Sequence, residues 1–246
     1  MQVFSGLQRL MIKLAQHGKC SFKDMIMNHK AILFGSIGTI VETSELQRRS
    51  FNQAFAEAGL DWNWSPDEYQ MLLAKSGGCD RIENYAVQRG VDVDVKQLHR
   101  QKTKIFDSLM DKETTLLRPG VASLISYALD KSLLLAFVTN TSKVNIDAVF
   151  YALGDQIKRN DFSFIGNDKM VSNPKPSPDI YLKALSELHL DAQDCIAIED
   201  TEVSMQSALA ASIRCIGFPG VNTQGNDFSG AVLVTNHLSA DDLAGL

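Results

Sequence analysis

Six short apolar segments alternate with longer helix-like segments, and this alternation constrains the fold more than any other feature of the chain. The apolar segments are 30–35, 133–139, 162–166, 195–200, 214–218 and 231–235. The helix-like segments between them are 121–131, 143–153, 178–189 and 203–211. Strands that alternate with helices pair in parallel within one sheet whose two faces are covered by those helices. The sequence therefore predicts an α/β protein with a Rossmann-like parallel sheet.

The interval 44–113, between the first two predicted strands, is rich in helix-forming residues and too long for a loop. Because open α/β sheets bind ligands at the carboxyl ends of their strands, an insertion after the first strand lies over the binding edge. We therefore predict a helical cap at 44–113 over an α/β core made of 28–43 and 114–246. Residues 1–27 are interpreted as an N-terminal extension.

Charge and cysteine content limit the partners and the compartment. The formal net charge is −5 and no long run of lysine or arginine occurs, which argues against a nucleic-acid surface. No apolar run approaches the roughly 20 residues that a membrane-spanning helix needs, so no membrane partner is predicted. The four cysteines lie far apart, which favours a reducing, cytoplasmic location. The basic segment 1–23 leaves organelle targeting as the alternative.

Short motifs follow the predicted strands in a fixed order. The first strand runs into Gly-Ser-Ile-Gly-Thr at 35–39, and the second ends at Thr139 in AFVTNTS. Lys175 precedes Pro-Ser-Pro-Asp, Glu-Asp follows the fourth strand at 199–200, and SGGCDRI stands at 76–82 in the predicted cap. From residue 30 to 246 this order resembles the haloacid dehalogenase-like hydrolases, and within them the CbbY-like sugar-phosphate phosphatases and their β-phosphoglucomutase relatives.

The resemblance implies two catalytic aspartates that this chain lacks. Family members carry aspartates where Gly35 and Ile37 stand here. The first attacks phosphorus and the second protonates the leaving oxygen. Glycine has no side chain, and isoleucine neither donates nor accepts a proton, so covalent catalysis through this turn is lost. Whether the protein is an enzyme is therefore open, because its relatives are hydrolases while its first motif is degenerate.

The same resemblance implies phosphate binding by Thr139, Asn140 and Lys175, with Arg81 meeting a distal phosphate. Independently of the family, a strand-end hydroxyl, free backbone N–H groups and a nearby lysine make a small anion site. The structural alternatives are an ST-turn at Thr139, a solvated Lys175 and an ordinary surface charge at Arg81. Gln47 stands where CbbY-like enzymes tend to carry histidine.

Glu199 and Asp200 match the metal-binding motif of the family and would hold Mg²⁺ through their carboxylate oxygens. Gly35 offers no third carboxylate. The alternative is therefore a buried ion pair between Asp200 and Lys175.

The sequence supports three hypotheses for function. The first is a catalytically impaired protein that binds a phosphorylated small molecule, in particular a sugar phosphate. The second is an active hydrolase with an unorthodox mechanism. The third is a non-catalytic scaffold for interaction or regulation.

Overall fold

The sheet is parallel and has six strands. The computed structural model describes residues 29–73, 77–112 and 116–243. The strand order is β3-β2-β1-β4-β5-β6, and every pairing is parallel. The strands are β1 (Ala31–Phe34), β2 (Leu134–Phe137), β3 (Phe164–Ile165), β4 (Cys195–Glu199), β5 (Arg214–Gly217) and β6 (Leu233–Val234). The prediction of a Rossmann-like parallel sheet is confirmed. The predicted extension at 1–27, with its targeting alternative, lies outside the described residues.

Helices fill the intervals that the sequence pattern assigns to them. They are α1 (Ile37–Ile40), α2 (Ser44–Glu57), α3 (Pro66–Leu72), α4 (Gly78–Arg89), α5 (Val95–Lys112), α6 (Val121–Asp130), α7 (Lys143–Leu153), α8 (Asp179–Leu188) and α9 (Glu202–Ala210). Short 3-10 turns occur at Gly154–Gln156, Arg159–Asp161, Ala192–Asp194, Val221–Thr223 and Ala240–Leu243. None of the described helices combines the length and the apolar character needed to cross a membrane.

The central strands are buried on both faces, which explains why they read as unbroken apolar runs. Side chains alternate between the two faces of a strand. Ile32 and Phe34 of β1 therefore join one apolar cluster, and Ala31 and Leu33 join the cluster on the opposite face. Helices cover both clusters, so the sheet is packed on its two faces and its carboxyl edge is left for the turns that follow the strands.

Helices α2 to α5, which we call the helical insertion, lie between β1 and β2 in the chain and have an apolar cluster of their own. Its aromatic members are Phe51, Phe55, Trp62, Trp64, Tyr69 and Tyr85. Helix α3 packs against the turn Val221–Thr223 of the α/β part. That the insertion acts as a cap stays a prediction, and its predicted limit at residue 113 lies outside the described residues.

Candidate functional site

Three neighbouring strands, β2, β1 and β4, end side by side at the carboxyl edge. Phe34 at the end of β1 is in register with Phe137 of β2 and Ile198 of β4. The residues that follow these strand ends therefore meet, and the backbone N–H of Gly35 donates to the Ile198 carbonyl at 3.0 Å. We define the carboxyl-edge site as Gly35, Thr139, Lys175, Glu199 and Asp200.

Lys175 reaches this site from the loop between β3 and α8. Its ammonium donates to the carbonyl oxygen of Gly35 at 2.5 Å and to Glu199 Oε1 at 2.6 Å. Only 6% of Lys175 is exposed, and its Nζ lies 4.9 Å from the centre of the Tyr181 ring. The alternative hypothesis of a solvated Lys175 is therefore wrong, because this ammonium is buried and hydrogen-bonded within the site.

Glu199, the last residue of β4, is fully buried. Its Oε1 also accepts a hydrogen bond from the Tyr181 hydroxyl at 2.6 Å, whereas its Oε2 has no partner among the described residues. Burial raises the pKa of this carboxyl to about 7, and the charge of Lys175 opposes that rise. The ion pair expected between Asp200 and Lys175 thus forms with the neighbouring carboxylate, because consecutive side chains at a strand end point to opposite sides.

The Glu199 carboxylate fills the space beside Gly35. A Cβ atom at residue 35 would lie 1.9 Å from Glu199 Oε1 and 2.1 Å from its carboxyl carbon. The backbone of Gly35 is not in the left-handed region, so the conformation itself does not require glycine. The Glu199 carboxylate, in the position it has here, therefore leaves no space for a side chain at residue 35.

Asp200 is held by a separate set of contacts. Ser36 Oγ donates to Asp200 Oδ1 at 2.6 Å, and Thr223 Oγ1 donates to the backbone carbonyl of Asp200 at 2.5 Å. The second oxygen, Oδ2, faces Gly38, where a Cβ atom would lie 1.8 Å away. Burial raises the pKa of Asp200, while the Ser36 hydrogen bond and the charge of Arg118 oppose the rise.

Arg118 is a residue of the site's framework that sequence reasoning missed. Its guanidinium donates to three carbonyl oxygens, those of Gly38 at 2.6 Å, Phe218 at 2.7 Å and Pro219 at 2.6 Å. It also lies 3.5 Å from the centre of the Phe218 ring. Arg118 therefore ties the turn after β1 to the turn after β5. An arginine before a Pro-Gly turn carries no sequence signal for this role.

Thr139 and Asn140 stand at the end of the β2 segment. Thr139 Oγ1 accepts a hydrogen bond from the backbone N–H of Thr141 at 3.1 Å, which is the ST-turn considered as the structural alternative. That turn uses an oxygen lone pair, so the hydroxyl hydrogen can still be donated to an anion. Asn140 Oδ1 accepts from the backbone N–H of Lys175 at 3.0 Å, and its Nδ2 is buried without a partner among the described residues.

Arg81 lies in α4 and packs into the aromatic cluster of the helical insertion. Its Nε donates to the Leu72 carbonyl at 3.0 Å, and its guanidinium carbon lies 5.9 Å from the Phe51 ring centre and 5.6 Å from that of Tyr69. Burial lowers the pKa of the guanidinium. This packing differs from that of an ordinary surface charge. A role in binding a distal phosphate stays a prediction, and Ser76 of the same loop lies outside the described residues.

Lys102 is a second buried cation of the helical insertion, and sequence reasoning missed it. It is 3% exposed, its ammonium is hydrogen-bonded to Gln47 Oε1, and it lies 4.8 Å from the Phe51 ring centre and 5.0 Å from that of Phe106. Burial, reinforced by the charge of Arg81, lowers its pKa to about 7. The available signal was a lysine on the apolar stripe of α5, which includes Leu98, Ile105 and Phe106.

The donor set of the site does not match a magnesium centre. Glu199 Oε1 is engaged by Lys175 and Tyr181, and Asp200 Oδ1 is engaged by Ser36. Across 29–73, 77–112 and 116–243, no group of three or more His, Cys, Asp or Glu side chains could hold a metal ion. Glu199 Oε2 has no partner among the described residues but is buried, whereas Mg²⁺ bound by one or two carboxylates keeps several of its waters. The residues present therefore do not fit the Mg²⁺ that the resemblance implies.

Known proteins resemble this chain over most of its length. The sequence model of the haloacid dehalogenase-like hydrolases matches residues 32–218. Protein CbbY of Cereibacter sphaeroides is 39% identical over 221 residues, which cover 88% of this chain and 96% of that protein. A CBBY-like protein of Arabidopsis thaliana is 31% identical over 213 residues, which cover 82% and 66%.

A solved structure has the same fold. CbbY from Rhodobacter sphaeroides in complex with phosphate superposes with a TM-score of 0.79 at 38% identity, covering 89% of this chain and 96% of that one. A mutant of that protein in complex with xylulose-(1,5)bisphosphate gives a TM-score of 0.80. With a matched sequence model, close relatives and a shared fold, the chain belongs to the haloacid dehalogenase-like hydrolase family.

Proposed function

We propose that this protein binds a phosphorylated small molecule, a sugar phosphate, at the carboxyl-edge site and has little or no hydrolase activity. The observation that carries the proposal is the buried Lys175 ammonium, 2.5 Å from the Gly35 carbonyl, at the strand edge that also bears Thr139 and Asn140. An ammonium, a hydroxyl and an amide N–H are all donors to phosphate oxygens. They support an anion site that does not depend on the missing aspartates.

The expected loss of hydrolysis follows from the two altered positions of the first motif. Gly35 supplies no nucleophile, and Ile37 is packed into the apolar cluster beneath the sheet edge. Loss of general acid catalysis alone lowers a rate by about 10²–10⁴-fold. We therefore expect phosphate release from sugar phosphates at no more than a small fraction of the rate of a CbbY enzyme assayed in parallel.

The relatives indicate which ligands to test first. The solved CbbY structures contain phosphate in one case and xylulose-(1,5)bisphosphate in the other. We propose that a ligand of this class, with one phosphate at Lys175 and a second near Arg81, binds here. Arg81 supports the second contact because its guanidinium, although packed on aromatic rings, remains a strong donor to phosphate.

Thermal denaturation with inorganic phosphate and with xylulose 1,5-bisphosphate tests the binding proposal. A ligand at 100 times its Kd adds about 2.7 kcal/mol to the free energy of unfolding, so a clear rise in Tm is expected for the wild type. Lys175→Met should abolish this rise. The matched control is Lys183→Met, which removes an exposed lysine that pairs with Glu187 on the surface of α8. A wild type that responds to neither ligand contradicts the proposal and favours a scaffold role.

One observation favours the alternative of a working hydrolase. Ser36 lies between the two altered positions and donates a 2.6 Å hydrogen bond to Asp200. A hydroxyl paired with a carboxylate is the arrangement of an activated nucleophile. Phosphate release that survives purification, is lost in Ser36→Ala and persists in the surface control Ser229→Ala would select this alternative.

A further inference from the structure

We propose that the ammonium of Lys175 is the resident cation of the carboxyl-edge site and that, while it is in place, the site binds no divalent cation. The inference departs from the family's use of magnesium. It rests on the contacts around Glu199 and Asp200 and does not depend on whether a sugar phosphate binds.

Lys175 occupies the place beside Glu199 where a bound cation would lie. A buried carboxylate requires a paired opposite charge or hydrogen-bond donors. Glu199 is fully buried, and it has both, because Lys175 and the Tyr181 hydroxyl donate to its Oε1. The same ammonium also donates a hydrogen bond to the carbonyl oxygen of Gly35. Two of the oxygens at this turn, Glu199 Oε1 and the carbonyl oxygen of Gly35, are thus already bonded to a cation of the chain.

The charged groups already in the carboxyl-edge site oppose a further cation. The site contains two carboxylates, that of Glu199, which is fully buried, and that of Asp200, which is half-buried, and the cations that act on them are Lys175 and Arg118. A divalent cation added here would lie close to an ammonium of the same sign, which the low local polarity makes unfavourable.

The Glu199 and Asp200 carboxylates point in different directions. The Glu199 carboxylate lies against Gly35, whereas Asp200 Oδ2 lies against Gly38. The two carboxylates are therefore placed beside different residues of the turn after β1. Asp200 is further fixed by Ser36. A hard cation requires several oxygens that converge on one point, whereas each of these two groups is fixed by partners of its own.

If Lys175 excludes metal, removal of its ammonium should turn the site into one that binds a divalent cation. In Lys175→Met, Glu199 and Asp200 keep only Arg118 as a compensating charge, so the site carries a net negative charge in a buried place. A divalent cation then relieves that charge. Lys175→Arg retains the positive charge and should leave the site closed to metal, which makes it the matched control.

The test is binding of Mn²⁺ by electron paramagnetic resonance and of Mg²⁺ by thermal shift at constant ionic strength, with wild type and variants. We expect no saturable binding by the wild type or by Lys175→Arg. We expect saturable binding by Lys175→Met, with a Kd at least about tenfold below the highest metal concentration at which the wild type shows none, because one nearby like charge is gone. That binding should disappear when Asp200→Asn is added.

Two results would overturn the proposal. One is saturable binding of Mg²⁺ or Mn²⁺ to the wild type that Asp200→Asn abolishes. The other is a folded Lys175→Met protein that gains no affinity. If Lys175→Met does not fold, the comparison of wild type with Asp200→Asn decides by itself, since absence of wild-type binding supports the proposal and binding rejects it.

Titration of inorganic phosphate with EDTA or with Mg²⁺ separates this inference from the proposed function. Phosphate binding that persists in EDTA supports both. Phosphate binding that requires Mg²⁺ overturns the inference and leaves the proposed function intact. If the wild type binds neither phosphate nor metal, the proposed function fails and the inference stands.

Discussion

The Glu199 carboxylate lies in the volume that a side chain at Gly35 would fill, with Oε1 1.9 Å from the position of a Cβ atom. Gly35 follows β1 and Glu199 ends the adjacent strand β4, and the two residues are packed against each other. A substitution at either position therefore acts through the other.

Gly35→Ala should destabilise the protein by about 1–3 kcal/mol, because the added methyl group forces Glu199 away from Lys175 and Tyr181. Urea denaturation of the variant and the wild type measures the loss. Gly225→Ala is the matched control, since a Cβ atom at residue 225 meets only Gln70 Nε2, at 3.8 Å. In a double-mutant cycle with Glu199→Ala, the two effects should be non-additive by at least about 0.5 kcal/mol. Additive effects would show that the two side chains do not share this space.

Restoring the missing acids should give activity at the expense of stability. Gly35→Asp with Ile37→Asp supplies a nucleophile and a proton donor. The new carboxylate at residue 35 also displaces Glu199 from its place beside Lys175 and adds negative charge, so we expect this variant, unlike the wild type, to admit Mg²⁺ and to show detectable Mg²⁺-dependent phosphate release. Ile37 belongs to the apolar cluster of the sheet, so Ile37→Asp alone should lower the free energy of unfolding by about 2–4 kcal/mol.

Phosphate release and urea denaturation of the same preparations check both parts of this prediction. Ile37→Val controls for the change of side-chain volume. Activity in the double variant should vanish when Asp200→Asn is added. A folded double variant that binds Mg²⁺ but hydrolyses no sugar phosphate would show that the defect extends beyond this turn.

Arg118→Met should destabilise the protein by about 2–4 kcal/mol, because it leaves the carbonyl oxygens of Gly38, Phe218 and Pro219 without their donor. Arg118→Lys should recover only part of this loss, since an ammonium does not reproduce the planar fork of a guanidinium. Urea denaturation gives both values. Arg159→Met, at an exposed arginine paired with Asp147, should change stability by less than about 1 kcal/mol. Equal losses for Arg118 and Arg159 would contradict the role assigned to Arg118.

The stability of the protein should rise with pH through the titration of Lys102. In the folded protein burial lowers the pKa of this amine to about 7, whereas the ordinary pKa of a lysine is 10.5. Between these values the unfolded chain binds more protons, so the free energy of unfolding increases with pH, by at most about 1.4 kcal/mol per pH unit from this group.

Comparison of wild type with Lys102→Met from pH 7 to pH 10 isolates this contribution. The variant should be more stable than the wild type at pH 7, and the difference should shrink as the pH increases. Lys104→Met, at an exposed position of the same helix, is the control and should follow the wild type. Parallel pH profiles for wild type and Lys102→Met would refute the assignment.

The sheet was predictable because its strands are buried on both faces and therefore read as apolar runs at regular intervals. The hydrogen-bond and ion-pair partners within the carboxyl-edge site were not predictable. Glu199 and Asp200 are adjacent in sequence, and which of them faces Lys175 depends on the side to which β4 turns its last residue. Tyr181 and Arg118 bond to the site from positions whose sequence contexts are those of an ordinary amphipathic helix and an ordinary turn.

The effect of Gly35 was also only half predictable. The loss of a nucleophile follows from the residue type. The reason that a side chain is excluded there does not, because it depends on Glu199 from another strand and not on the local backbone. Long-range contacts of this kind have no signature within a single stretch of sequence.

Both tryptophans of the chain, Trp62 and Trp64, lie in the aromatic cluster of the helical insertion. Intrinsic tryptophan fluorescence therefore reports on this part of the molecule alone, while far-ultraviolet circular dichroism reports on all the helices and strands. If the two signals change together during denaturation, the insertion and the sheet unfold as one cooperative unit. If the fluorescence changes first, the insertion melts independently, and the protein carries its own spectroscopic probe for that event.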